Sequence, residues 1–171
     1  MPDLNAKPRI DGLIMDKRKV IEQVVKKLKK EIEIGKKASK EAFDTATDDE
    51  AYSDGKYDTR SLEASYLAGG QAQIVKELGD ALQGFNLLKA QQFIQPPSKQ
   101  VGLGSLLEIQ SKSGSSWYII GPGGGGIEVE VDGCLVTILT LYSPFGEAVA
   151  SKQTGEIIEL PNVKAEILKI V

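Results

Sequence analysis

A short acidic stretch contains the residues of this chain that could take part in metal chemistry. Residues 44–58 include a single lysine, Lys56, and six carboxylates, which are Asp44, Asp48, Asp49, Glu50, Asp54 and Asp58. Carboxylates this close repel one another, so clustering them costs stability unless a cation or a basic partner compensates. Magnesium prefers oxygen ligands and keeps several waters, so one or two of these acids could share an ion with a partner that supplies the other ligands. The alternative is a solvated turn, where acidic residues are common.

The chain has no histidine, which excludes histidine general bases, His-based catalytic triads and His-containing zinc sites. Ser143 therefore has no histidine to activate it as a nucleophile, and Ser143-Pro144 is instead typical of a helix N-terminus. Residues 121–126, Gly-Pro-Gly-Gly-Gly-Gly, lack the Lys-Ser/Thr pair of a phosphate-binding loop and lie between predicted strands, so we predict a hairpin loop there. The one cysteine, Cys134, excludes an internal disulfide and fits a reducing cytoplasm.

Two long helices are predicted on either side of the acidic stretch, over residues 13–45 and 57–92. Apolar or small residues recur in both at alternating spacings of four and three, which is typical of a coiled-coil seam. The predicted first seam is Ile21, Val25, Leu28, Ile32, Gly35, Ser39 and Ala42. The predicted second seam is Leu67, Gln71, Ile74, Leu78, Ala81, Phe85 and Leu88. An antiparallel hairpin with the acids at its tip is the simplest arrangement of two such helices.

A different periodicity begins after Gln95-Pro-Pro-Ser98, because proline cannot continue a helix. Alternating apolar residues, β-branched runs and turn residues predict five or six strands and one short helix at 143–150. The expected fold class is therefore α+β, with an antiparallel β-sheet after the coiled-coil hairpin. We predict an irregular arm at 1–12, the hairpin at 13–95 with its tip at 44–58, and a β domain at 99–171. No apolar run approaches the roughly 18 residues of a membrane span, so we expect a soluble protein.

Positive charge is concentrated in the first helix. Residues 1–43 carry 12 Lys/Arg against 7 Asp/Glu, and Lys29, Lys36 and Lys40 belong to this lysine-rich segment. Such a segment could track a phosphate backbone or an acidic protein groove, or it could simply be the polar face of a helix. No aromatic residue occurs in residues 1–42 to stack on bases, so we do not expect sequence-specific DNA or RNA recognition.

The second half of the chain resembles the C-terminal domain of the bacterial Gre transcript-cleavage factors. The resemblance covers almost all of residues 100–171 and rests on several short motifs taken together. They are Val101-Gly-Leu-Gly-Ser105, Tyr118-Ile-Ile-Gly121, Ser143-Pro-Phe-Gly-Glu-Ala148, Ser151-Lys-Gln-Thr-Gly-Glu-Ile-Ile-Glu-Leu160 and Ala165-Glu-Ile-Leu-Lys-Ile170. A coiled-coil hairpin before a small β domain is also the architecture of that family. The resemblance implies an FKBP-like fold for residues 99–171.

The resemblance also implies a function. Gre factors dock their C-terminal domain at the secondary channel of RNA polymerase and extend the coiled coil inward. The tip acids then help hold a second magnesium, so that the polymerase hydrolyses its own backtracked transcript. For this chain it implies Asp49, Glu50 and Asp54 as catalytic and metal-binding acids, with Mg²⁺ shared with the polymerase. Docking is expected at Ser143, Pro144 and Phe145, with the lysines Lys29, Lys36 and Lys40 facing the channel wall or the RNA. The factor would be a cytoplasmic monomer and not itself an enzyme.

The tip departs from the family pattern of an aspartate followed three positions later by a glutamate. Aligning Lys56-Tyr57 with the family's Glu-Tyr pair places Glu50 at the aspartate position and Ser53 at the glutamate position. Asp54 lies one residue further along. This altered register favours a second hypothesis, a non-cleaving channel competitor that inhibits or regulates transcription. Two other classes stay open, a prolyl isomerase or chaperone using an FKBP-like fold and a coiled-coil oligomerisation module.

Overall fold

The computed structural model of the protein describes residues 15–47, 59–91, 99–161 and 163–171. Its two long helices are α1 (Lys17–Thr47) and α2 (Thr59–Gln91), and they are followed by six strands and one short helix. These later elements are β1 (Leu106–Ser111), β2 (Gly114–Gly121), β3 (Glu128–Val131), β4 (Cys134–Thr140), α3 (Pro144–Val149), β5 (Ile157–Leu160) and β6 (Val163–Ile170). The predicted fold class, a helical hairpin followed by a mainly antiparallel sheet with one short helix, is confirmed. The predicted arm at 1–12 and the proline-rich boundary at 95–98 lie outside the described residues.

The seam predicted for α1 is confirmed. All seven of its residues are buried or half-buried, and the small ones bring the two helices close together. A Cβ added to Gly35 would lie 2.7 Å from Val75 Cγ2, and Ser39 Oγ donates a hydrogen bond of 3.3 Å to the Ala68 carbonyl.

Neither α1 nor α2, over its described residues, has an apolar segment that could span a membrane.

The seam predicted for α2 is wrong in its first half. Leu67 and Ile74 are 56% and 47% exposed, so they do not form the contact with α1. The buried or half-buried series is instead Ala64, Ala68, Gln71, Val75, Leu78, Leu82 and Phe85. The reason is steric. Because Gly35 and Ser39 bring the backbones close together, the smaller side chains of Val75 and Ala68 fit opposite them where leucine or isoleucine would not.

The glycines of α2 differ in their surroundings, and this difference gives a testable prediction. A Cβ at Gly84 would strike the ring of Pro122, whereas a Cβ at Gly79 has no atom within 4 Å. Glycine inside a helix is less favourable than alanine by about 0.5–1 kcal/mol. We expect Gly79→Ala to raise the free energy of unfolding by about that amount in urea denaturation. Gly84→Ala is the matched control and should lower it. A loss of stability in Gly79→Ala would contradict the predicted gain.

The sheet has the strand order β3-β4-β2-β1-β6-β5. Every neighbouring pair is antiparallel except β2 and β4, which are parallel, so the wholly antiparallel prediction is wrong at this pair. The hairpin predicted at residues 121–126 is also wrong, because β2 and β3 do not pair. The chain instead crosses the end of β4, where Gly126 N donates to Ile138 O at 2.9 Å. Gly124 and Gly126 have φ of +72° and +84°, a region that favours glycine.

One face of the sheet packs on the base of the hairpin. The buried residues of this core come from α1, α2 and four strands, and they include Val20, Val24, Leu28, Ala81, Phe85, Leu106, Trp117, Ile119, Val129 and Ile138. Polar contacts surround this core. Lys17 Nζ donates to Val171 O at 3.1 Å, and Lys19 Nζ lies 3.2 Å from Asp132 Oδ2. Burial lowers the pKa of Lys17. The other face of the sheet packs on α3 through a second core.

Candidate functional site

The hairpin extends beyond the sheet that anchors it. In the described part of the chain, the core shared with the sheet includes α1 residues as far as Leu28 and α2 residues from Leu78 onward. Residues 29–47 of α1 continue past that point, a length of roughly 28 Å at 1.5 Å per residue. Along this length α1 packs against α2. The fold therefore places Thr47 and Thr59, the described ends of the two helices, at the end of the hairpin remote from the anchored base.

The three acids predicted to act at the tip are Asp49, Glu50 and Asp54, and all three lie outside the described residues. Their role as catalytic and metal-binding groups therefore stays a prediction. Over residues 15–47, 59–91, 99–161 and 163–171, no three acidic or cysteine side chains are grouped so that they could hold a metal ion.

The predicted lysines lie on the part of α1 that extends beyond the sheet. Lys29, Lys36 and Lys40 are exposed, and Lys36 Nζ lies 3.1 Å from Glu33 Oε1. Lys29 lies seven positions after Glu22 and seven positions before Lys36, so the three side chains follow one line along the helix. Glu22 pairs with Lys89 of α2 at 3.0 Å, which places this line beside α2. The lysines are thus available to a partner along one side of the hairpin.

The other predicted docking residues, Ser143, Pro144 and Phe145, lie at the start of α3. Ser143 is the N-cap, as predicted. Its Oγ accepts a hydrogen bond from Gly146 N at 3.0 Å and donates one to Thr140 O at 2.8 Å. Phe145 is half-buried and packs edge-to-face on Tyr118, with 5.5 Å between ring centroids. Ser143 and Phe145 therefore hold the turn together, while Pro144 is exposed.

Sequence reasoning missed an exposed aromatic residue beside these three. Tyr142 is 87% exposed, more than any other large hydrophobic residue named for the described part of the chain. Exposed aromatic residues are common energetic centres of protein interfaces. The only signal in the sequence was its position immediately before the Ser-Pro helix start, which places it in a turn. Tyr142 and Pro144 are the side chains that this turn exposes to solvent.

The turn at residues 142–145 and the lysines Lys29, Lys36 and Lys40 are on different parts of the molecule. The turn belongs to the sheet face covered by α3, whereas the hairpin packs on the opposite face. Among the described residues, the structure therefore does not bring these two predicted groups into one pocket. A partner that touched both would have to contact the sheet domain and the hairpin at the same time, as a large assembly does.

Comparison with known proteins yields structural neighbours only. No protein-family model matches the chain, and no curated protein matches it either. The solved structures it is similar to include the GreA factor homolog 1 (Gfh1) protein of Thermus thermophilus, which is 15% identical, with 90% of this chain and 94% of that chain covered and a TM-score of 0.34. Another is Gfh1 of Thermus aquaticus, which is 17% identical, with 87% and 92% covered and a TM-score of 0.29. No residue of this chain is assigned a role from these matches.

Proposed function

We propose that the protein is a Gre-like factor that binds RNA polymerase and acts through its secondary channel during transcription. The observation that carries this proposal is the anchored hairpin, whose helix α1 extends roughly 28 Å past the sheet. The sequence that joins its two helices, residues 48–58, is acidic. A hairpin of this length is suited to carrying carboxylates into a narrow channel while the sheet domain stays outside. The sequence resemblance in residues 101–170 supports the same function.

Asp49, Glu50 and Asp54 are the proposed tip acids in this function. They would share a magnesium ion with the polymerase, because an acidic turn alone offers too few ligands to hold the ion tightly. The catalytic centre belongs to the polymerase, so the protein itself is an accessory factor. Tyr142 and Pro144 would contact the polymerase at the channel rim, and Lys29, Lys36 and Lys40 would face the channel wall or the RNA. The protein would act as a cytoplasmic monomer.

A second candidate is a non-cleaving competitor for the same channel. The observation that favours it is the altered register of the tip, where Ser53 takes the place of the family's glutamate. With one ligand displaced, the second metal would be held less well, and occupation of the channel would become the main effect. This factor would inhibit or regulate transcription instead of stimulating cleavage.

Transcript cleavage by backtracked elongation complexes tests both candidates. Purified protein would be added with magnesium, in parallel with Asp49→Ala, Glu50→Ala and Asp54→Ala variants. A cleavage factor should shorten the RNA rapidly, and at least one of the three variants should lose that activity because its metal ligand is gone. Asp44→Ala is the matched control, since Asp44 lies on α1 before the tip.

The other outcomes separate the alternatives. Absence of shortening together with a block of cleavage by an active Gre factor would identify the channel competitor. Absence of both, with no binding to RNA polymerase, would contradict the proposed function. A peptide isomerisation assay and sedimentation at several concentrations then test the isomerase and oligomerisation hypotheses.

A further inference from the structure

The side of the hairpin that packs on the sheet is defined by its contacts at the base. On α1 this side includes Val20 and Val24, which are buried in the core shared with the sheet. On α2 it includes Ala81 and Gly84, which meet the loop after β2: a Cβ at Gly123 would lie 3.0 Å from Ala81 Cβ. Residues seven apart lie on nearly the same side of a helix, so these positions identify the same side further along the hairpin.

This side stays apolar after the sheet ends. Ile34 lies two heptads beyond Val20, and Leu67 and Ile74 lie two heptads and one heptad before Ala81. Their side chains are 52%, 56% and 47% exposed. With the half-buried Ala38, they form what we call the apolar stripe (Ile34, Ala38, Leu67 and Ile74). The sheet covers this side at the base, and none of the described residues outside the hairpin belongs to a core with the stripe.

The charges beside the apolar stripe have one predominant sign. The stripe is flanked, at heptad positions of the same side, by the acids Glu31, Glu41, Glu63 and Glu77 and by Lys27. Lys27 Nζ is paired with Glu31 Oε1 at 2.8 Å, and Lys37 Nζ lies 3.9 Å from Glu41 Oε1, so Glu63 and Glu77 supply the remaining negative charge on this side. The side turned away from the sheet has the opposite balance, with Lys26, Lys29, Lys36, Lys40 and Lys76 against Glu22 and Glu33.

We propose that the apolar stripe binds one amphipathic helix of RNA polymerase that has apolar residues on one face and Lys or Arg beside them. The stripe follows the groove between α1 and α2, and Leu67 and Ile74 are spaced about 10 Å along it, so a third helix can pack there as in a three-helix bundle. The acidic rim selects basic flanking residues. This proposal rests on the proposed function, because it names which chemistry of the polymerase the hairpin contacts.

A second copy of the chain fits the stripe less well. An interface related by a two-fold axis pairs the same surface patch on both copies. The negative rims of two stripes would then face each other, and like charges brought together across an interface oppose association. The charge pattern therefore favours a basic partner over self-association.

Equilibrium binding to purified bacterial core RNA polymerase tests the proposal. The test variant is Leu67→Gln combined with Ile74→Gln, which removes apolar contact area while keeping good helix formers. We expect its Kd for the polymerase to rise at least about tenfold. The matched control is Leu62→Gln. Leu62 is 55% exposed on the same helix but lies about 140° around the helix axis from Leu67. The Kd of the Leu62→Gln variant for the polymerase should therefore change less than about threefold.

Reversing the charge of the acids beside the apolar stripe tests their contribution to binding separately. Combining Glu63→Lys with Glu77→Lys should also raise the Kd, and the increase should shrink as salt is added, because exposed charges are screened. Unfolding curves for all variants would exclude loss of fold as the cause, since every substituted side chain is exposed.

The remaining outcomes keep this proposal separate from the proposed function. Tight binding of the wild type with equal binding of the Leu67→Gln, Ile74→Gln variant would overturn the stripe as a contact and leave the proposed function standing. A wild type that does not bind polymerase at all would remove both. A concentration-dependent dimer in sedimentation that this variant abolishes would assign the stripe to self-association and overturn the proposal.

Discussion

Replacing Phe85 with alanine is expected to lower the free energy of unfolding by about 3–5 kcal/mol, the range for truncating a buried phenylalanine. Phe85 is fully buried and lies where α2 meets the sheet. Its ring is so close to β2 that a Cβ added to Gly121 would lie 2.6 Å from Phe85 Cζ. The substitution would leave a cavity between the hairpin base and the sheet, and two rigid elements cannot easily collapse into it.

Urea denaturation measures this loss, and the chain has a built-in probe. Trp117 is the only tryptophan and belongs to the same core as Phe85, so its fluorescence reports on the packing of hairpin and sheet. Circular dichroism follows the helices in the same samples. Leu87→Ala is the control, because Leu87 is exposed two residues further along α2 and should cost less than about 0.5 kcal/mol. Equal losses in both variants would contradict the anchoring role.

A double-mutant cycle makes the test of this anchor specific. Gly121→Ala alone should destabilise the protein by about 1–3 kcal/mol because its methyl group collides with the Phe85 ring. In the Phe85→Ala background that ring is absent, and the added methyl group should cost less. Ile138 Cγ2 would still lie 2.8 Å away, so the rescue should be partial. Strict additivity would mean that the two residues do not share this contact.

Replacing Gly146 with alanine is expected to cost about 3 kcal/mol or more, at the upper end of overpacking effects. A Cβ at Gly146 would collide with the carbonyl oxygen of Thr140 and lie 2.9 Å from Ser143 Oγ. That carbonyl also accepts hydrogen bonds from Ser143 N at 3.1 Å and Ser143 Oγ at 2.8 Å. The turn cannot move away from the methyl group without weakening both bonds.

Thermal and urea unfolding of Gly146→Ala would measure this cost, with Ser143→Ala as the comparison. Loss of the N-cap alone should cost about 1 kcal/mol. If Gly146→Ala proved no more harmful than Ser143→Ala, the turn before α3 would be more adaptable than its contacts indicate. Because Tyr142 and Pro144 belong to the same turn, Gly146→Ala should also weaken polymerase binding if the docking proposal is correct.

The residues at the contact between the two helices could be predicted only where hydrophobic periodicity alone decides which side of a helix is buried. In α1 the seam from Ile21 to Ala42 is the apolar series in the sequence, and the structure buries it. In α2 the more apolar choice, Leu67 and Ile74, was wrong, and Ala68 and Val75 face α1 instead. Side-chain size decided the register there, because Gly35 on the opposite helix requires a close approach. Such pairwise fit is invisible when one helix is considered alone.

The strands were found by their alternation, but their partners were not. Local pattern makes β2 and β3 look like a hairpin, since only six residues separate them. The structure places β4 between them and parallel to β2. This pairing depends on contacts between strands that are distant in the sequence. The glycines at 123–126 make this crossing possible, whereas in the sequence they indicated only a loop.

In the candidate site, too, only features that depend on neighbouring residues could be predicted from the sequence. The capping role of Ser143 followed from the Ser-Pro pair, because capping depends on neighbouring residues. The exposure of the apolar stripe could not be predicted in this way, because it depends on where the sheet ends relative to the hairpin. The roles of Asp49, Glu50 and Asp54 are predictions from the resemblance.

The order of synthesis gives the anchored base a further consequence. Residues 15–47 and 59–91 form the described part of the hairpin, and every described strand that covers its base follows them in the chain. At roughly 5–20 residues per second, the last 80 residues take about 4–16 s to translate. During that time Val20, Leu28 and Phe85 have no complete sheet to pack against. Strand β1 stays unpaired on one edge until β6, one of its two neighbours, has been made. The sheet-facing side of the nascent hairpin therefore exposes apolar residues to solvent until the strands that cover it have been made.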